Sequence, residues 1–261
     1  MLDDLYAGSL ADAAARSNLT STKDLESKIS RQTPALDAVA SFRSDSNLQV
    51  IAEIKRASPS KGDLADITDP AALGSTYESA GASAISVLTE QRRFKGSLED
   101  LINVRESVSV PILRKDFIAN EYQVLEARAF GADLVLLIVA GLNRPQLQHL
   151  NNLIQELGMQ ALVETHTADE VRIAADLGAQ LIGVNARDLS TFETDLNLFQ
   201  RLIDLVPNEA IAIAESAVRT VDDVKNYADQ GAQAVLVGEA LVTGDADALI
   251  RSFRAIPKNR I

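Results

Sequence analysis

The 261-residue sequence predicts an α/β fold, a closed (βα)8 barrel preceded by a helical N-terminal extension. Three observations carry that reading. A unit made of a helix end, a glycine and an apolar run recurs along the chain; the apolar runs number eight; and polar residues gather at one end of those runs only. The length agrees, because such a barrel takes about 250 residues.

Taken in order, residues 1–47 hold two expected helices, around 3–16 and 34–43. They are too few for a separate domain, so they are read as an extension of one domain whose barrel spans 48–261. The first strand is LQVIAEI (48–54). The repeating unit follows as SAGASAISVLT (79–89), AFGADLVLLIV (129–139), DLGAQLIGVN (176–185) and DQGAQAVLVG (229–238). ELGMQALVE (156–164) is a further copy in which Met159 replaces Ala. Each glycine supplies the left-handed cap that ends a helix. The aliphatics after it lack polar alternation, as in a strand buried on both faces.

VPILR (110–114) and AIAIA (210–214) complete the set, giving strands near 48–54, 83–88, 110–114, 133–138, 159–163, 180–184, 210–214 and 233–237. Amphipathic stretches such as RPQLQHLNNLIQEL and TVDDVKNYADQ separate them, several opening on residues that cap helices. Alternating units of this kind make a parallel sheet with right-handed crossovers. An open doubly wound sheet is the other arrangement, but it usually announces a nucleotide site with a glycine-rich turn. Neither G-x-G-x-x-G nor G-x-x-x-x-G-K-[ST] occurs here. The closed, TIM-type barrel is the better fit.

Hydrophobic residues make up 46% and aromatics only 4%, so the core is mostly aliphatic. With 25 basic and 37 acidic residues the net charge is −12, which argues against nucleic acid or an anionic membrane as a partner. The absence of cysteine removes disulfides, thiol nucleophiles and thiolate metal sites, and suits a reducing cytoplasm. The start, MLDDLYAGSLADAAARS, has no apolar core flanked by basic residues, so no signal peptide is expected. No apolar run approaches the roughly 18 residues of a membrane span. The expectation is a cytoplasmic globular protein, with a monomer as the default state.

Barrel chemistry sits at the carboxyl ends of the strands. Strand 1 ends in Glu53 and Lys55, strand 3 in Arg114, Lys115 and Asp116, and strand 5 in Glu164. Strand 6 ends in Asn185 and then Arg187, strand 7 in Glu215 and Ser216, and strand 8 in Gly238 and Glu239. Glu53 and Lys55 are two residues apart, so they share a face with Ile51, the barrel interior. They form either an ion pair that only plugs the barrel or part of a working array. Burying this many charges costs several kcal/mol each unless they are paired or used. Lysine–carboxylate arrays also tune proton donors.

AESAV (214–218) and VGEAL (237–241) each lead into a helix start, where backbone N–H groups favour a phosphate dianion. Ser58, Ser60 and Lys61 in the first loop strengthen that grip. The expected ligand is a phosphorylated small molecule. His149 reads as a surface residue, His166 as a loop histidine of no special role, and the two make no metal site. DVKNYAD (223–229) only approximates a decarboxylase D-x-K-x-x-D, on a helix, and is set aside. Arg92, Arg93 and Lys95 read as a solvated charge run, or else as an attractor for an anion.

AEIKRASPSKG (52–62), PILRKDFI (111–118), ALVETHT (161–167), LIGVNARDLSTFETDL (181–196) and AESAV together resemble the indole-3-glycerol phosphate synthase family, over about 48–250 of the chain. The resemblance implies conversion of 1-(2-carboxyphenylamino)-1-deoxyribulose 5-phosphate to indole-3-glycerol phosphate, CO2 and water, without cofactor or metal. It implies that Lys115 is the general acid of ring closure and Glu164 a second proton-transfer residue. Lys55 serves dehydration or holds the substrate's anionic groups; which of Lys55 and Glu164 drives dehydration stays open. Glu53 then orients the lysines, Asn185 hydrogen-bonds the substrate or a lysine, and Arg187 faces the anthranilate carboxylate. Glu215 and Ser216 complete the mouth; Ser216, Gly238 and Ser58 lie near the phosphate, with Ala217 and Glu239 in the same strand-end loops. Phe94 and Phe117 wall the aromatic ring, and residues 58–62 form a mobile loop that closes over the substrate.

Two departures stand out: Ala217 where the family commonly has glycine, and Ala186 where asparagine is frequent. If φ at Ala217 is positive, its Cβ costs about 1 kcal/mol or more. Phosphoribosylanthranilate isomerase, a neighbouring barrel, needs a Cys/Asp pair that a chain without cysteine lacks. A non-catalytic sugar-phosphate-binding barrel is the remaining alternative, and the loss of Lys115 or Glu164 would have been its mark.

Overall fold

In the computed structural model, residues 2–188 and 193–259 are described, so residues 189–192 of the 181–196 motif lie outside the described residues. Eight parallel strands run β1 Gln49–Ile54, β2 Ala84–Leu88, β3 Ile112–Lys115 and β4 Leu134–Ile138. They continue as β5 Gln160–Thr165, β6 Leu181–Asn185, β7 Ile211–Glu215 and β8 Ala234–Val237. Each pairs with its sequence neighbours, and β8 closes onto β1 through Gln49 opposite Ala234. The third strand differs from its expected 110–114. Pro111 has no N–H to give the ladder and offers only its carbonyl, to Ile85 N at 2.9 Å. The strand therefore starts at Ile112, two residues later than expected, and carries Lys115 inside it.

Three helices precede the barrel: α1 Leu2–Ser17, α2 Thr22–Ile29 and α3 Ala38–Ser44. The second was not anticipated, although Ser21 and Asp24 form a reciprocal capping box that the sequence S-T-K-D spells out. The extension grips both ends of the barrel. At the amino ends of the strands, the Gln160 side chain accepts the N–H of Ala38 at 2.9 Å and Asp133 accepts that of Leu36 at 2.8 Å. At the carboxyl ends, α1 buries Leu5, Tyr6 and Ser9.

Outside the barrel lie α4 Pro70–Ser79, α5 Leu98–Ser107, α6 Glu121–Ala129, α7 Arg144–Glu156, α8 Ala168–Asp176, α9 Leu198–Leu202, α10 Val221–Asp229, α11 Glu239–Thr243 and α12 Ala246–Arg254. No helix among the described residues is long and apolar enough to cross a membrane.

Arg114 corrects one sequence expectation. It does not reach the mouth but turns outward beneath α6, fully buried. Strand alternation explains this, since Lys115 takes the inward position. The Arg114 guanidinium donates to Thr89 Oγ1 at 3.1 Å and to the Gln123 carbonyl at 2.8 Å, and it pairs with Asp116 at 3.2 Å and Glu126 at 3.1 Å. Both acids then reach α1. Ser9 donates to Asp116 at 2.7 Å, and Arg16 grips Glu126 with two hydrogen bonds of 2.6 and 2.8 Å. Removing one member of a buried network strands the rest, so Arg114→Met should destabilise the fold by about 3–5 kcal/mol. Urea unfolding followed by circular dichroism checks this; a loss near zero would mean that the network contributes nothing net.

Candidate active site

The carboxyl ends of the strands enclose a cavity of about 430 Å³, lined by the residues given a catalytic or substrate-binding role from the sequence, though not by Arg114 or Lys61. Alternation along β1 sends Glu53 inward, where it pairs with Lys55 at 2.6 Å. Burial disfavours the Glu53 charge, but Lys55 and Lys115 outweigh it and hold the carboxyl below its usual range. Gly238 follows β8 directly. A Cβ there would lie 2.4 Å from Glu53 Oε1 and 3.0 Å from Lys55 Nζ, so the pair fits only because position 238 has no side chain.

Lys115 points its ammonium between two acids, Glu164 Oε2 at 3.4 Å and Glu215 Oε2 at 3.7 Å. Burial works against its charge, yet Glu164, Glu215 and Glu53 overcome it and move its pKa up. The two acids differ sharply. Glu164 would be raised by burial, but Lys115, His166 and Asn185 hold it far below the usual carboxylate range. Glu215 goes the other way: burial and the ionised Glu164 push it well up, and Lys115 offsets only part of this. Neither Glu215 oxygen receives a hydrogen bond. The two carboxyl groups that flank one ammonium are thus driven in opposite directions, as expected when two carboxyl groups share one site.

Gly183 makes this crowding possible. It faces Glu164 across the β5–β6 ladder, and a Cβ on it would fall 2.0 Å from Glu215 Oε1. Sequence reasoning passed over Gly183. The available signal was a glycine inside the strand run LIGVN, which marks close approach of a neighbour. Asn185, at the end of β6, donates to Glu164 Oε1 at 3.0 Å, while its Oδ1 accepts from Ser216 Oγ at 2.7 Å and Arg187 N at 3.0 Å. Its amide orientation is therefore locked.

The first loop folds into a small antiparallel pair, Ala57–Ser58 with Gly62–Asp63, drawn across the mouth. Arg187 donates to Ser60 Oγ at 2.6 Å on one side, and Lys61 pairs with Glu239 at 2.7 Å on the other. Ser58 lies 3.4 Å from Ser60, oxygen to oxygen.

Phe94 and Phe117 sit 6.1 Å apart, tilted by 42°, and Tyr6 from α1 meets Phe117 edge-on at 5.6 Å. Tyr6 was not singled out from the sequence. Phe94 is held by Glu90, whose buried carboxylate accepts the N–H groups of Arg92, Arg93 and Phe94 at 3.0, 2.7 and 2.9 Å. In the neighbouring basic cluster, Arg92 pairs with Asp12 of α1 at 2.7 Å and Lys95 with Asp63 at 2.6 Å. Their charges are thus engaged rather than held out for an anion. His149 is exposed, paired with Glu121 at 2.7 Å. His166, which follows the end of β5, does approach the mouth: its Nε2 lies 3.4 Å from Glu164 Oε1.

Ser216 and Ala217 adopt φ values of +68° and +59°. The conditional raised by the sequence resolves toward strain, since the left-handed region costs an L-residue about 1–2 kcal/mol. Ala217→Gly should raise stability by about 0.5–1 kcal/mol after allowing for the extra freedom of glycine in the unfolded chain. The midpoint of urea unfolding at unchanged slope measures it; no gain would mean that neighbouring contacts already absorb the strain.

A sequence profile of the family described as "Indole-3-glycerol phosphate synthase" matches residues 2–253. Among relatives of that name, the protein of Leifsonia xyli subsp. xyli is 57% identical over 256 residues, covering 98% of each chain. That of Arthrobacter sp. is 55% identical over 247 residues, covering 93% of this chain and 91% of the relative. Two solved structures share the fold alone. N-acetylmannosamine-6-phosphate 2-epimerase of Clostridium perfringens has a TM-score of 0.62 at 18% identity, covering 83% of this chain and 95% of that one. 3-Hexulose-6-phosphate synthase of Salmonella typhimurium also scores 0.62, at 16% identity, covering 80% and 97%.

Proposed function

The chain belongs to the indole-3-glycerol phosphate synthase family, and from that premise we propose how its mouth carries out ring closure, decarboxylation and dehydration. The substrate's phosphate lies at the loops after β7 and β8, near Ser216, Ala217 and Gly238, with Ser58 above it. Its aromatic ring lies against Phe94 and Phe117, and Arg187 meets the ring carboxylate. Glu239 acts on the substrate indirectly, by tethering Lys61 and with it the first loop.

Lys115 is the general acid of ring closure. As the aromatic carbon attacks the carbonyl carbon, the ammonium transfers a proton to the developing alkoxide. The carboxylate then leaves as CO2, and its electrons restore the ring. Dehydration needs a second proton on the departing hydroxyl and releases one from the carbon beside nitrogen. Two protons enter and one returns, so each turnover takes up one proton.

Glu164, ionised at rest, relays the proton that the departing hydroxyl needs and then takes the one released from the carbon beside nitrogen. Lys55 holds the substrate's anionic groups, balanced by Glu53. Asn185 and Ser216 keep Glu164 oriented. Glu215, its carboxyl raised toward the neutral form by burial and by Glu164, shapes the Lys115 site with less negative charge than Glu164 brings. The observation that carries the reading is the Lys115 ammonium held between two buried acids, Glu164 and Glu215. A cytoplasmic monomer is the accompanying proposal: one chain supplies the whole array, and a phosphorylated intermediate is kept inside the cell by its charge.

Mixing the protein with the carboxyphenylamino-deoxyribulose phosphate should raise indole fluorescence, against a background free of tryptophan. Lys115→Ala should reduce kcat by at least about 10³-fold. A wild type that binds the substrate without a fluorescence rise would point instead to a binding protein.

The two acids should separate under amide substitution. Glu164→Gln should lower kcat by about 10²-fold or more, and Glu215→Gln by less than about tenfold, because glutamine resembles the neutral acid. Equal losses in steady-state assays would contradict the protonation assignment.

The raised carboxyl of Glu215 also fixes a sign. A group that binds its proton more tightly when folded stabilises at low pH, and that stabilisation is lost as pH rises from the unfolded value, 4.5, toward the raised folded one. Glu215→Gln should therefore gain stability relative to wild type as pH rises through this window, as read from urea midpoints.

A further inference from the structure

Three side chains lead away from the mouth on the side opposite Lys115. Glu164 Oε2 faces Lys115, while Oε1 faces His166 Nε2 at 3.4 Å. The other ring nitrogen, Nδ1, lies 3.4 Å from Glu170 Oε2 in the first turn of α8. The ring is largely buried, with a side-chain exposure of 11%, and Glu170 opens further to solvent at 18%.

The far end of this chain is pinned. His166 N–H donates to Glu170 Oε2 at 2.8 Å, and Glu170 N–H donates to the N-cap Thr167 Oγ1 at 3.2 Å. The near end is not. His166 Nε2 is buried without an aligned hydrogen-bond partner, aimed at a carboxylate just beyond ideal distance. Contacts of this kind tighten when a substrate is bound.

The groups facing the imidazole are Glu164 from β5 and Glu170 from α8. Behind Glu164 stand Lys115 from β3, Asn185 from β6 and the buried Tyr6 hydroxyl from α1. Burial opposes a charge on the ring, and the two carboxylates more than reverse it, to about 10. At neutral pH the ring is an imidazolium.

Proton balance gives this arrangement a task. On the reading above, each turnover takes up one proton, at a site whose central acid is 1% exposed and whose mouth is crossed by the first loop. Glu164 starts ionised, so any proton it delivers has first to reach it.

We propose that His166, backed by Glu170, is a proton reserve for Glu164. As the hydroxyl departs, the N–H bond at His166 Nε2 breaks and an O–H bond forms at Glu164 Oε1, and Glu164 passes a proton to the hydroxyl, whose C–O bond breaks to release water, so that Glu164 ends ionised as it began. The ring is left neutral with its proton on Nδ1, held against Glu170. When product leaves and the loop lifts, water returns a proton to Nε2. His166 is thus a positioning residue that acts through Glu164, and its role rests on the synthase reading.

The test uses His166→Ala and Glu170→Gln beside wild type. His166→Ala should lower kcat at neutral pH by at least about tenfold with KM within about twofold, and imidazole added to the buffer should restore rate in proportion to its concentration. Glu170→Gln removes one of the two carboxylates that hold the proton, so the alkaline limb of its kcat profile should move to lower pH. A role in packing alone would move neither readout. Should His166→Ala fail to fold, the Glu170→Gln profile decides by itself. The proposal is overturned if His166→Ala keeps kcat within about twofold, or if imidazole rescues nothing and the alkaline limb stays in place. An inactive wild type would instead overturn the synthase reading, so the two failures are distinguishable.

Discussion

One buried guanidinium ties the catalytic strand to everything around it. Arg114 occupies the outward position of β3 beside the inward Lys115, and its partners come from three directions. Asp116 lies just past the end of its own strand, Thr89 follows β2, and Glu126 sits on α6. Two of these acids are also held by α1, through Ser9 and Arg16. A charge in a dry interior is tolerated only when its hydrogen-bonding capacity is met. Each partner is therefore constrained in turn, and Lys115 projects from a backbone fixed on its outer side by Arg114. The N-terminal extension belongs to this arrangement: Tyr6 and Ser9 leave the same helix one turn apart and meet Phe117 and Asp116, neighbours just beyond β3.

The mouth works because its charges are unequal. Glu53, Glu164 and Glu215 crowd around Lys55 and Lys115, and burial together with the neighbouring Glu164 raises the Glu215 carboxyl while Lys115 and His166 hold Glu164 low. The same crowding explains two glycines. Gly183 and Gly238 occupy positions where any Cβ would overlap a carboxylate oxygen, so conformational freedom given up in the strands makes room for chemistry at their ends. Strain collects nearby, at the consecutive left-handed residues Ser216 and Ala217. Backbone strain of this kind persists where surrounding structure over-determines it, and it clusters at ligand sites.

Around this centre the loops are tied to one another more than to the barrel. The first loop reaches Arg187 beyond β6 and Glu239 beyond β8, and Asp63 in it holds Lys95 from the loop after β2. These contacts are polar and partly exposed, worth little individually and screened by salt. They suit a cover that has to open and close. The Glu90 turn beneath Phe94 is buried by contrast, with three backbone N–H groups converging on one carboxylate, so the wall of the site is held more firmly than its cover.

What the sequence determined by itself is local in origin. The helix–Gly–strand unit, the apolar run lengths and the period of two placed all eight strands within a residue or two, and with them the identity of the residues at the mouth. Alternation alone put Glu53 and Lys55 on one face. It missed α2, whose capping box is equally local. Tertiary structure decided what depends on distance across the closed barrel. Arg114 faces α6 rather than the mouth, Glu215 is raised while Glu164 is lowered, Gly183 yields to a carboxylate from a neighbouring strand, and His166 comes within 3.4 Å of Glu164. These pairings join residues as much as 51 positions apart, as with Glu164 and Glu215, and strand register and ring closure set their separations. A protonation state follows from the field of all such neighbours at once, and no short stretch of chain contains that sum.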